Sequence, residues 1–237
     1  MKNTTTVLAV AALSLLAGSY IAFAAQAPDG AARPPRPQPP PRMPMSFFVT
    51  SVGLGKGGDL GGLAGADAHC QALATAAGST KTWHAYLSTQ ARAGQPAINA
   101  RDRIGSGPWH NSKDGIMAAD QNELHGDTLE TAQQNNGMWK LSILNEKGQM
   151  IRGEAENGNI HDILTGSTTD GRAFTDNADH TCNNWTSSTA GAVRVGHSDR
   201  QGGGNISWNS SEEVQGCSQE AFARAHGAGL LYCFAIN

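Results

Sequence analysis

The sequence predicts an α+β domain, with one early helix, an apolar strand at the end and long loops between them. Three observations carry that expectation. Residues 64–77 (AGADAHCQALATAA) are alanine-rich and set Ala66, Cys70, Leu73 and Ala77 at helical spacing. Residues 229–236 (GLLYCFAI) are an unbroken apolar run of strand length. Nearly half of residues 107–204 are Gly, Asn, Asp, Ser or Thr, the chemistry of turns.

Ahead of that domain stand two chemically different stretches. Residues 1–24 join Lys2 to a short apolar run (VLAVAALSLL, residues 7–16) and to Ala22-Phe23-Ala24. This is the pattern of a secretory signal peptide cleaved after Ala24. An uncleaved anchor is the alternative, but Gly18, Ser19 and Tyr20 interrupt the apolar run before it reaches spanning length. Residues 25–45 are a proline-rich linker; eight of the ten prolines fall in residues 28–44, a run that favours extended polyproline II and reads as a stalk.

The domain proper is residues 46–237. Its first expected strand is residues 47–52 (FFVTSV), ended by the glycine-rich turn of residues 53–62. The helix follows, with Asp67 in its first turn and Gly78 to stop it. Residues 83–87 (WHAYL) alternate like a strand, and residues 98–104 suit a short helix. Within the loop-rich middle, strands are expected at residues 140–144, 149–152 and 192–196.

Setting aside Lys2, Arg33, Arg36, Arg42 and Asp29 leaves the domain 13 basic and 19 acidic residues. A net negative domain disfavours nucleic acid and suits a divalent cation or neutral sugar. Four cysteines in an exported chain argue for two disulfides, with three pairings open. No zinc-type cysteine cluster, GxSxG, HExxH or GxxxxGK[ST] occurs, and no two histidines stand four apart on a predicted helix, so an enzyme is not expected.

Residues 61–88 resemble the first helix and following strand of the endostatin domain, and the later order LTGSTTDGR, Cys182-Asn183-Asn184-Trp185, Gly216-Cys217-Ser218, Leu231-Tyr232-Cys233 is similar to that family's. Endostatin belongs to the C-type lectin-like superfamily, whose terminal Trp-Asn, Cys and x-Cys pattern is matched by Trp208-Asn209, Cys217 and Tyr232-Cys233. The resemblance implies a C-type lectin-like fold with nested disulfides, Cys70 to Cys233 and Cys182 to Cys217. It also implies a non-catalytic, exported binding module for carbohydrate, or alternatively an adhesion module for an extracytoplasmic protein.

The ligand face implied is the loops of residues 176–210. His197, Asp199, Arg200, Trp208 and Asn209 are its candidate contacts, and Trp185 and Trp208 are each either a sugar platform or a core ring. Calcium is the candidate cofactor, held by Asp176, Asn177 and Asp179. The family's Glu-Pro-Asn and Gln-Pro-Asp triplets are missing, and Ser210 stands where an aspartate is expected. A second acidic cluster, Glu154-Ala155-Glu156-Asn157, has oxygen spacing for an ion or for a plain turn.

Overall fold

The computed structural model describes residues 44–92, 94–125, 136–200 and 207–237. The expected signal peptide, nearly all of the linker and the glycine run at residues 201–204 lie outside the described residues.

The elements in chain order are β1 (Phe47–Val49), α1 (Gly62–Ala76), β2 (Trp83–Ala85), a 3-10 turn (Ala100–Arg103), β3 (Trp109–His110), β4 (Ile116–Ala118), α2 (Gln121–His125), β5 (Asp162–Leu164), β6 (Ala192–His197), β7 (Glu212–Gln215), α3 (Gln219–Arg224) and β8 (Gly227–Ala235). The architecture is α+β, with few helices, short strands and two disulfides. Cys70 bonds Cys233 and Cys182 bonds Cys217, the nested pairing. Among the described residues no helix is long and apolar enough to cross a membrane.

The final strand organises the sheet. β8 pairs antiparallel with β1 and with β2 and parallel with β5; β6 and β7 then extend the sheet antiparallel beyond β5. Its unbroken apolar sequence follows from burial on both faces. Leu231, Cys233 and Ala235 face the helix side with Phe48, Trp83 and Trp185, while Leu230, Tyr232 and Phe234 face an aromatic layer with Phe47, Trp109 and Trp208. Strand alternation sorts one run into two cores. Helix α1 buries Ala66, Cys70 and Ala74 and is tied to β8 through the Cys70 disulfide.

Two expectations need correction, and one turn was not foreseen. Residues 140–144 begin in a turn and residues 149–152 are irregular; their one backbone bridge is Leu144 to Met150, because Asn145 side-chain contacts close the chain into a loop there. The short strands β3, β4 and β5 stand instead in stretches that read as turn chemistry. Cys182, Asn183, Asn184 and Trp185 form one turn of left-handed backbone, with φ of 47°, 54°, 55° and 68°. Such a conformation is costly for residues with a Cβ, and it is held by the Cys182 disulfide, by Thr181 Oγ1 capping the Asn184 N–H, and by paired bonds between the Asn184 amide and the Gln90 backbone.

Candidate functional site

The inward faces of three neighbouring strands end in polar side chains at the same end of the sheet. Leu164 of β5, Val193 and Val195 of β6, and Val214 of β7 belong to the helix-side core. Continuing each strand at its period of two leads to Asp162, His197 and Glu212. Asp162 and His197 are direct cross-strand partners. His161 precedes β5, where the pairing with β8 shifts register, and its ring stacks on His197 with centroids 4.4 Å apart.

A cavity of about 930 Å³ opens over this corner, with Glu154, Glu156, Asn157, Asn159, His161, His197, Glu212 and His226 among its walls. Asp162 lies behind the two histidines and is only 2% exposed. Its Oδ1 is 3.3 Å from His161 Nε2 and 3.2 Å from His197 Nε2. Neither Asp162 oxygen accepts a hydrogen bond of sound geometry. The far nitrogens are occupied: His161 Nδ1 lies 2.6 Å from Asp199 Oδ1, and His197 Nδ1 lies 3.1 Å from Ser211 Oγ. Partial desolvation, and next the Asp162 carboxylate, hold the Glu212 carboxyl above its usual range, with His197 opposing.

Asp199 also fixes the cavity wall, because its Oδ2 accepts the Glu154 N–H at 2.7 Å. That approach needs Gly153, where a Cβ would come within 2.2 Å of Asp199 Oδ2. Glu156 pairs with Lys140, and the neighbouring Trp139 is 40% exposed while its ring lies 4.3 Å from the Arg200 guanidinium carbon. Of the groups of three His, Cys, Asp or Glu side chains able to hold a metal, the described residues provide His161, Asp162 and His197, with donor atoms all within 4.8 Å of one another.

The structure separates the sequence-predicted contacts. His197 lines the cavity. Asp199 is buried behind it and acts through His161 and the 153–154 backbone. Arg200 is buried under Trp139 and donates to Asn136 Oδ1 at 2.5 Å; burial lowers its pKa to about 10. Trp208 is 0% exposed and packs on Tyr86 and Tyr232, which leaves no ring face for a sugar and corrects the platform role. Trp185 is likewise a core ring, donating to Ser88 O.

Asn209 is buried too, and its amide bridges Tyr86 Oη and the carbonyls of Thr168 and Thr169. Gly196 permits that packing, since a Cβ there would lie 1.8 Å from Trp208 O.

The proposed calcium ligands do not form an oxygen cage. Asp179 Oδ1 pairs with Arg92 at 2.8 Å and accepts from the Thr181 and Asn183 backbone. Asp176 Oδ1 faces His180 Nε2 at 2.9 Å and closes its own turn on the Ala178 N–H. Asn177 is exposed.

His161, Asp162 and Glu212 were missed by sequence reasoning. The available signal was the register of β6: counting on from Val193 and Val195 reaches His197, whose cross-strand partner is Asp162. No protein-family model matches the chain, and no curated protein matches its sequence at a significant level.

Proposed function

We propose that this chain is an exported, C-type lectin-like (endostatin-like) binding module whose ligand is a neutral, hydroxyl-rich molecule of the carbohydrate class. The nested disulfides, the antiparallel pairing of the first and last strands, and the long loops support the fold reading. Two disulfides also suit an extracytoplasmic location.

The observation that carries the function is the acceptor-rich cavity at the end of β5, β6 and β7. Glu154, Glu156 and Glu212 repel anions and accept from hydroxyl donors, while Asn157 and Asn159 offer both donors and acceptors. Its volume is within the range of small-molecule sites. Trp139, exposed beside Lys140 and Glu156, supplies the aromatic surface that Trp208 cannot.

The test is a glycan array probed with the oxidised full chain, followed by titration of the best ligand into variants. Neutral glycans should bind, and the double variant Glu154→Gln/Asn157→Ala should weaken binding by about tenfold or more. Silence on the array, or undiminished binding by the double variant, contradicts the reading.

A further inference from the structure

We propose that His161 Nε2, His197 Nε2 and Asp162 Oδ1 form a binding site for a divalent first-row transition metal of the zinc class, opening on the cavity.

Geometry supplies the first argument. Two ligands of a tetrahedral zinc ion at ordinary bond lengths stand about 3.3 Å apart. Asp162 Oδ1 stands 3.3 and 3.2 Å from the two imidazole nitrogens. Two of the three donor separations are therefore those of a coordination shell, and the two ring nitrogens lie within 4.8 Å of each other, so that a tilt of the stacked rings would bring all three donors onto one ion.

The second argument is the state of Asp162. A buried carboxylate poorly supplied with donors is costly, and Asp162 meets only two imidazole nitrogens out of line and the Glu212 carboxyl. A cation set between the oxygen and the two ring nitrogens would balance the buried Asp162 charge.

Outer contacts point the same way. A metal-bound histidine typically gives its other ring nitrogen to a carboxylate or another oxygen, which orients the ring and makes it a better ligand. Asp199 does this for His161 and Ser211 for His197. Two nitrogen donors select against calcium and magnesium, which take oxygen shells, and favour zinc and its neighbours. Glu212 lines the same cavity beside Asp162, where it or a ligand atom can complete the shell.

The site does not depend on the carbohydrate reading, and its test needs no glycan. Full-length protein with its disulfides formed is stripped with EDTA and titrated with Zn²⁺ by calorimetry, and in parallel with Co²⁺ by visible absorption. One ion per chain and an intense cobalt band of low coordination number are expected. His197→Gln should weaken zinc about 100-fold, Asp199→Asn about tenfold, and the control His69→Gln, half-buried on α1 and outside the cavity lining, not at all.

Near-UV circular dichroism reports whether each variant is folded, and Asp162→Asn stands in should His197→Gln fail to fold. The proposal is overturned if the wild type shows neither zinc heat nor cobalt band. It is also overturned if folded His197→Gln or Asp162→Asn binds as the wild type does.

Discussion

The turn at residues 176–185 and the corner formed by β5, β6 and β7 both bring carboxylates against histidines, yet their charges are settled differently. In the turn, Asp179 meets Arg92 and several N–H donors, and His180 lies between Asp176 and Glu213. In the corner, buried Asp162 meets two imidazoles and a second carboxyl, and no N–H reaches its oxygens in line. The first region uses its charges to hold a left-handed turn in place. The second gathers its donor atoms within 4.8 Å of one another beside a cavity, as a site for an external ion or ligand requires. Clustering of acids along a chain is thus a weaker guide to binding than the hydrogen bonds those acids still lack.

The largest effect should come from a residue that the structure removes from the ligand face. Trp208→Ala should cost about 4 kcal/mol of stability, as expected for emptying a buried ring site. Denaturant unfolding measures this, and ligand affinity of the folded fraction should be unchanged. A small stability loss with abolished binding would return Trp208 to the ligand site.

The next effect concerns a satisfied histidine. His125 is buried with Nδ1 3.0 Å from Gln121 O and Nε2 2.8 Å from Tyr86 Oη, and burial lowers its pKa to about 4. Because the folded value lies below the unfolded one, the folded state takes up the proton less readily. Its stabilising contribution is complete above pH 6.5 and is lost as pH falls from there to about 4, with a maximum near 3 kcal/mol. Unfolding curves across that window should show the slope, and His125→Gln should flatten it. An unchanged slope in the variant would place the titration elsewhere.

The smallest effects carry opposite signs and divide the two regions most sharply. Asp179→Asn breaks a paired carboxylate and should destabilise by about 1 kcal/mol. Asp162→Asn removes a poorly satisfied one and lets an amide N–H face an imidazole nitrogen. In metal-free buffer it should stabilise by about 1 kcal/mol, as relief at functional sites often does. Thermal unfolding of both variants is the check. Destabilisation of both would mean that Asp162 is an ordinary structural carboxylate.

Much of the fold was legible because it rests on local signals. The helix spacing around Cys70, the apolar start of residues 47–52, the alternation in residues 83–87 and the apolar run of β8 each state their element locally. The family resemblance supplied the disulfide pairing. The middle was less legible, since β3, β4 and β5 are two or three residues long and too short to show a period. The site was least legible of all. Asp162, His197 and Glu212 are separated by 35 and 15 residues and meet only through cross-strand register, and no local motif records that. The sequence drew the ligand face around Trp208 and Asn209, which the fold uses for internal packing against Tyr86.

The most direct measurement is anomalous X-ray diffraction at the zinc edge from crystals of the full chain grown with one equivalent of Zn²⁺. A single peak is predicted, within about 2.2 Å of His161 Nε2, His197 Nε2 and Asp162 Oδ1. A peak at Asp176 and Asp179 instead, or no ordered peak at the β5–β7 corner, would contradict the account.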